Sequence, residues 1–250
     1  MSLRNLARRI NRRLRYPLRD DYEFDDVTPR EWEIMRAIGP RTMTSPERVV
    51  ALMRAVEHLH RSGVAGDIVE CGVYRGGSIM AAAMRLMDFD SVERNLYLYD
   101  TFEGMPAPGA EDTDLHGQPA VEHFAPLRIS DTSSDWARAG LDEVQANVFG
   151  TGYPKERFQF VRGMVEETIP GVVPERIALL RLDTDWYEST RHELEHLFPR
   201  LVPHGVLIID DYGHFEGAVK AVDEYLATLP YPVFLSRVDY SARIAIKPAG

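Results

Sequence analysis

The sequence predicts an α/β fold in which helices cover both faces of a mostly parallel, doubly wound sheet. Strand-like apolar segments alternate with helix-like segments over most of the 250 residues, a pattern typical of parallel sheets. A hydrophobic content of 44% suits one large core. The last two strand-like segments are joined by a turn too short for a crossover helix, which predicts an antiparallel terminal pair.

The first clear helix is predicted just after residue 43. Thr44 or Ser45 provides the cap, Pro46 the first turn and Gly63 the stop. The later elements mostly alternate. Strands are predicted at 67–72, 95–100, 157–163, 176–183, 205–211, 233–239 and 242–248, and helices at 78–87, 187–201 and 217–229.

The chain divides into an N-terminal extension, residues 1–40, and one main domain, residues 41–250. Residues 101–150 interrupt the alternation with four prolines, five glycines and many acids. An insertion of that length is more often an active-site lid than a plain connection. We therefore expect residues 101–150 to cover a site in the main domain.

The first 19 residues carry seven arginines and no acid, which leaves 22 basic against 39 acidic side chains in the rest. Such an acidic body would repel phosphate backbones, so we expect no nucleic-acid partner. Leu3, Leu6, Ile10 and Leu14 place an apolar stripe on this segment. It is either a membrane-surface arm or targeting peptide, or, as we favour, a terminal helix that packs on a partner subunit or frays.

Cysteine use and hydropathy bear on the compartment. The single cysteine, Cys71, cannot form an internal disulfide, and no apolar run approaches the ~20 residues that span a bilayer. Both features suit a reducing cytoplasm, and we predict a cytoplasmic protein.

A glycine-rich turn follows the first predicted strand in the stretch 69–78. Glu70 ends the strand, and Gly72, Gly76 and Gly77 lie in the turn to the next helix. Free N–H groups there can hold an anion. The dinucleotide fingerprint GxGxxG and the phosphate-binding GK[ST] motif are both absent.

An acid before these glycines disfavours a pyrophosphate and suits a ligand with a cationic ammonium group. Asp100, at the end of the second strand, is placed to accept ribose hydroxyls. An ammonium and a ribose together indicate S-adenosylmethionine. The alternative is a purely structural turn that caps a helix.

Carboxylates also gather at two later strand ends. Asp183 ends the fourth strand, and Asp210 and Asp211 end the fifth. Parallel neighbours lie ~4.8 Å apart, so these acids would repel one another unless a cation neutralises them. An all-oxygen set suits Mg²⁺. Asp210 and Asp211 can share one ion only if the chain leaves the strand there, as Tyr212-Gly213 would allow.

Asp185 lies two residues beyond Asp183, where it could act as general base on a metal-bound hydroxyl. Trp186, Tyr187 and His214 follow the acids and are candidate substrate contacts, with core packing or solvation as the alternative. Helix capping would explain one acid at each strand end, but not two at both.

With these motifs in view, the sequence resembles the macrocin O-methyltransferase family, which methylates sugar hydroxyls of macrolides and related antibiotics. Residues 1–40 and 109–150 show no diagnostic match. The matching stretches are 41–52, 66–78, 97–108, 181–190 and 205–225, with DTFEGM and LDTDWYEST the most specific.

The resemblance implies a Rossmann-like class I methyltransferase fold, S-adenosylmethionine as donor, and a homo-oligomer in which a second subunit often helps to shape the acceptor pocket. It implies Mg²⁺ on Asp183, Asp210 and Asp211, with Asp185 as base. It also implies that Met43, Thr44 and Ser45 help to hold the methionine carboxylate. The full predicted cofactor set is Met43, Thr44, Ser45, Glu70, Gly72, Tyr74, Gly76, Ser78, Asp100 and Asp183.

The predicted function is Mg²⁺-dependent methyl transfer from S-adenosylmethionine to a small-molecule hydroxyl, chiefly on a sugar of a glycosylated natural product. Three alternatives stay open. They are O-methylation of a phenol or catechol, a metal-dependent hydrolase on the same fold, and a non-catalytic protein that binds a membrane or partner.

Overall fold

The computed structural model describes residues 26–130 and 132–249 and confirms the predicted α/β architecture. The arginine-rich segment 1–19, for which a helix is predicted, lies outside the described residues. Within the described part of the chain, no helix is both long enough and apolar enough to cross a membrane.

A seven-stranded sheet forms the centre, with strand order β3-β2-β1-β4-β5-β7-β6. The first five strands in this order are parallel, and β7 pairs antiparallel with both β5 and β6. The strands are β1 (Asp67–Cys71), β2 (Leu96–Asp100), β3 (Phe158–Arg162), β4 (Ile177–Leu182), β5 (Leu201–Ile209), β6 (Ser236–Arg237) and β7 (Arg243–Ile246).

Helices cover both faces of the sheet, because alternate strand residues face opposite cores. Ile68 and Leu179 pack with α1, α2, α3 and α5, whereas Val69 and Leu180 pack with α6, α7 and α8. The helices are α1 (Pro29–Ile38), α2 (Pro46–Arg61), α3 (Gly77–Met87), α4 (Val121–Phe124), α5 (Leu141–Phe149), α6 (Val165–Thr168), α7 (Tyr187–Leu197) and α8 (Glu216–Ala227).

Helices α4, α5 and α6 were not predicted from the sequence, and three further elements differ from the expectation. Helix α1 lies in the predicted extension, yet its Ile34 and Ile38 are fully buried in the same core as α2 and α3. Strand β5 begins earlier than predicted because Leu201 already pairs with Ile177 before a register shift. The strand predicted at 233–239 shortens to β6, since β7 offers partners to only two of its residues.

The carboxyl ends of β1 and β4 meet at the centre of the sheet, where the strand order reverses, the usual ligand-binding position in this architecture. Gly72, just after β1, makes the close approach possible. A Cβ at Gly72 would lie 2.0 Å from the carbonyl oxygen of Asp183, and its φ is +79°. Only glycine fits both restrictions.

We expect Gly72→Ala to lower the free energy of unfolding by at least about 2 kcal/mol, because it combines a left-handed backbone with a steric clash. Gly63→Ala is the matched control. Gly63 has φ +63°, and nothing lies within 4 Å of the position that a Cβ would take, so this change should cost about 1–2 kcal/mol. Urea unfolding of both variants measures the difference, and equal losses would contradict the proposed close approach.

Candidate active site

Two adjoining pockets open at the carboxyl edge of the sheet, with about 780 and 740 Å³ of space including their mouths. The first lies over Gly72, Tyr74 and Asp100 and continues towards Met164. The second lies over Glu70 and Ser78. Both pockets share the residues Met43, Tyr74, Trp136, Asp183 and Asp185, so a single elongated ligand can occupy both.

Gly76 makes the turn after β1 possible, since its φ of +85° begins α3 without a side-chain cap. Glu70 is buried beneath this turn. One of its oxygens accepts from Arg181 at 2.5 Å, while Oε2 has no hydrogen-bond partner among the described residues. Burial raises the pKa of Glu70 to about 7, although the Arg181 guanidinium opposes the shift. Glu70 therefore lines the second pocket with one acceptor atom that has no partner among the described residues.

Asp100 lies on the wall of the first pocket but is heavily hydrogen-bonded within the protein. Its Oδ2 accepts from the N–H groups of Val73 at 2.7 Å and Tyr74 at 3.2 Å, and its Oδ1 from that of Phe102 at 2.7 Å. A carboxylate has about four acceptor positions. Asp100 thus joins the turns after β1 and β2 and keeps little capacity for a ribose.

The predicted segment Met43–Ser45 divides between the pocket and the helix behind it. Met43 is 67% exposed and lines both pockets. The Thr44 hydroxyl accepts from Arg181 at 2.9 Å. Ser45 instead caps α2 and donates to Asp239 at 3.0 Å, so its side chain is used structurally.

Three carboxylates meet at the boundary of the pockets: Asp183, Asp185 and Asp211 each place one oxygen within 4.8 Å of the others. The pKa of Asp211 lies well above its ordinary value, because burial and the neighbouring Asp185 carboxylate both disfavour the charged form. Burial raises the pKa of Asp185 to about 7. The Oδ2 atom of Asp211 has no partner among the described residues.

Asp210 lies beside this cluster and lines the second pocket, but its carboxylate is held by two arginines. The acids that meet therefore differ by one residue from the predicted metal set Asp183, Asp210 and Asp211. The Asp210 N–H still continues the ladder to Leu182 at 2.9 Å, and consecutive strand residues face opposite sides. Its carboxylate accepts from Arg181 at 2.6 Å and from Arg48. Asp185 takes its place in the cluster.

Arg181, which was not among the predicted site residues, is 3% exposed and neutralises the acids behind the pockets. It contacts Glu70 at 2.5 Å and both Asp183 and Asp210 at 2.6 Å. Burial alone would lower the pKa of Arg181, but these three acids outweigh it and hold the pKa well above its ordinary value. The sequence does hold a sign of this role, because Arg181 is a charged residue within the apolar strand-like run 176–183.

A second arginine, Arg48 of α2, extends this network to the end of the chain. It bridges Asp210 and Asp239, the latter at 2.8 Å, in the turn between β6 and β7. Ser241 in the same turn donates to the Asp210 carbonyl at 2.7 Å. The C-terminal hairpin therefore fixes the end of β5.

Of the three predicted substrate contacts, Trp186 and Tyr187 are packed inside the protein and His214 lines a pocket. Trp186 is buried, donates to the Pro106 carbonyl at 3.1 Å and packs on Phe215 at 5.0 Å between ring centroids. Tyr187 is buried beside α8 and donates to Glu224 at 2.7 Å. Both support the insertion 101–150 and α8 instead of lining a pocket. His214 lines the second pocket, together with Tyr240.

The fold, with a cleft at the carboxyl edge of the sheet, is that of the class I O-methyltransferases, as solved structures show. The O-methyltransferase NovP superposes with a TM-score of 0.73 at 26% identity, over 83% of this chain and 82% of that one. Calicheamicin methyltransferase CalS11, at 18% identity and a TM-score of 0.55, shares the fold over 92% of this chain and 94% of that one.

Within that class, the chain belongs to the family described as "Macrocin-O-methyltransferase (TylF)", whose model matches residues 20–244. It is 36% identical to the 8-demethyl-8-(2,3-dimethoxy-alpha-L-rhamnosyl)-tetracenomycin-C 4'-O-methyltransferase of Streptomyces olivaceus, over 74% of this chain and 67% of that one. It is 34% identical to the mycinamicin III 3''-O-methyltransferase of Micromonospora griseorubida, over 74% and 69%. The chain is therefore an S-adenosylmethionine-dependent O-methyltransferase, which removes the hydrolase and non-catalytic alternatives.

We expect Arg181→Met to lower the free energy of unfolding by about 3–5 kcal/mol near pH 7.5, because it leaves buried acids uncompensated. In the folded state the pKa of Glu70 already exceeds its ordinary value, and losing the guanidinium raises it further. The folded wild-type protein also holds this proton up to about pH 7, so the stability deficit of the variant grows as pH rises through about 7.

Thermal unfolding of both proteins from pH 5 to pH 8 measures that deficit. Arg191→Met, which removes an exposed arginine paired with Glu195 on α7, should leave the midpoint nearly unchanged. A deficit in Arg181→Met that is constant over the pH range would contradict the electrostatic explanation.

Proposed function

We propose that the protein transfers a methyl group from S-adenosylmethionine to a hydroxyl on a sugar of a glycosylated natural product, with Mg²⁺ bound beside the acceptor. The carboxylate cluster of Asp183, Asp185 and Asp211 beside the glycine turn carries this proposal. The two curated relatives named above, one methylating a rhamnosyl tetracenomycin and one mycinamicin III, support a glycoside acceptor.

The pockets fit the methyl donor in two respects. The unpartnered Oε2 of Glu70 is a buried acceptor that an ammonium group would satisfy. Gly72 lines the first pocket and Ser78 the second, so a ligand can approach the start of α3, with Tyr74 and Met43 beside it. The predicted cofactor residue Gly76 lines neither pocket and instead packs against Val144 and Val148 of α5. The fourth acceptor position of Asp100 is filled only by the Thr101 hydroxyl at 3.5 Å. A ribose hydroxyl could replace this long contact, so we assign Asp100 a shared role: it orders the turns and accepts one ribose hydroxyl.

The acid cluster fits Mg²⁺ because its donors are all oxygen and one of them, on Asp211, has no partner among the described residues. Asp183, Asp185 and Asp211 are the residues that would hold the ion. When bound, Mg²⁺ would lower the pKa of an acceptor hydroxyl and fix its position. Asp210 would support the site through Arg181 and Arg48 instead of serving as a direct ligand.

Asp185 is the proposed base. It lines both pockets. A bound Mg²⁺ would lower the pKa of Asp185 and keep it ionised, so that the carboxylate oxygen not bound to the ion could accept a proton. A carboxylate at the junction can take the proton from a hydroxyl that enters through the second pocket as the methyl group leaves the donor. Holding both reactants in these pockets supplies much of the rate.

The second pocket suits a sugar ring. His214, Phe215 and Tyr240 form one wall and Trp136, from the insertion 101–150, forms another. Aromatic faces pack against the apolar face of a sugar, while the acids bind its hydroxyls. We assign the insertion a lid function on the same grounds. Homo-oligomerisation and a cytoplasmic location stay predictions.

Purified protein with methyl-labelled S-adenosylmethionine should convert a deoxysugar glycoside to a product heavier by one methyl group, and not a catechol. The reaction should need Mg²⁺ and stop on addition of a chelator, because the acid cluster cannot bind the acceptor unaided. Mass spectrometry of a panel of glycosides and catechols measures this. Exclusive methylation of catechols would reject the sugar acceptor, and full activity in chelator would reject the metal.

Asp185→Asn should lower kcat by at least about 100-fold, the range expected for a general base, while cofactor affinity changes little. Calorimetry with S-adenosylhomocysteine checks the affinity. Glu188→Gln, an exposed change on the helix that follows, is the control and should keep wild-type turnover. Turnover within a few-fold of wild type in Asp185→Asn would remove Asp185 from the base role.

A further inference from the structure

One fully buried acid behind the cleft has no part in the mechanism above. Glu193 of α7 is 0% exposed. Its Oε1 accepts from the Thr184 hydroxyl at 3.0 Å, and its Oε2 has no hydrogen-bond partner among the described residues. On the basis of the proposed function, we infer that Glu193 is a positioning residue for methyl transfer, which holds Asp183 and Asp185 in place through Thr184.

Thr184 is the link because it lies between the two acids that face the cleft. Its carbonyl accepts from the Trp186 N–H at 2.8 Å and from the Ser189 hydroxyl at 3.4 Å. Its hydroxyl donates to Glu193. Asp183 is tied in turn to β1 by an N–H bond to the Cys71 carbonyl at 2.9 Å. The loop is therefore anchored from α7 and from β1.

This anchoring matters because Asp185 has a strained backbone. Its φ is +68°, in the left-handed region that residues other than glycine rarely adopt. Such a conformation persists only when the neighbouring contacts fix it. The Thr184 hydroxyl ties the residue before Asp185 to α7 through Glu193. We expect the loss of Glu193 to loosen the loop at this residue and to change the direction of the Asp185 side chain.

A buried acid at this place is unfavourable for stability alone. Burial raises the pKa of Glu193 well above its ordinary value, and the nearby Glu166 carboxylate adds to the shift. The thiol of Cys71 is its other polar neighbour. An apolar side chain of similar size would avoid the unpartnered oxygen. The hydrogen bond from the Thr184 hydroxyl is the contact that requires the carboxyl group of Glu193. This favours a role for Glu193 in holding the loop 183–185.

The test uses the full chain and measures kcat, KM and Mg²⁺ affinity by calorimetry. Glu193→Leu and Thr184→Val should each lower kcat about tenfold or more and weaken Mg²⁺ binding, with the affinity for S-adenosylhomocysteine within about twofold. The double variant should be no worse than either single one, since both remove the same contact. Glu193→Gln keeps the shape and the acceptor and should restore kcat to within about threefold.

Glu195→Leu, an exposed change on the same helix, is the matched control and should leave kcat unchanged. If Glu193→Leu does not fold, Thr184→Val and Glu193→Gln still decide the question. Wild-type kcat in Thr184→Val, or additive losses in the double variant, would overturn the inference. A wild-type protein that neither binds Mg²⁺ nor transfers methyl groups would instead refute the proposed function.

Discussion

The buried guanidinium of Arg181 is the interaction on which the rest of the cleft depends. It joins acids from three neighbouring strand ends, Glu70, Asp183 and Asp210, at 2.5–2.6 Å. Without it, burial and mutual repulsion would raise the pKa values of these acids still further. Arg181 uses only one oxygen each of Glu70 and Asp183, so the other oxygen of each acid is left to bind a ligand.

The architecture was predictable because each strand and helix has a local pattern. Apolar runs such as 177–182 and the proline-capped helix beginning at Pro46 need no tertiary information. The short hairpin at the end of the chain was less predictable. The length of β6 depends on how many residues of β7 can pair with it. That number is set by the tertiary structure and cannot be read from the local sequence.

The site was predictable in position but not in orientation. Strand-end acids and the glycine turn located the cleft, since parallel strands end at the same edge of the sheet. Which way each acid points depends on contacts distant in sequence. Asp210 turns to Arg181 and Arg48, and Asp100 is taken up by backbone N–H groups. Trp186 and Tyr187 are drawn into packing with Phe215 and α8.

The tie between the C-terminal hairpin and Asp210 has a consequence for the order of folding during synthesis. Arg48 and Asp210 obtain their partners Asp239 and Ser241 only after the turn between β6 and β7 has been made. A nascent chain that stops before this turn contains every acid of the cluster but lacks the contacts that hold Asp210. The cleft therefore takes its final form only once the hairpin has folded back onto β5.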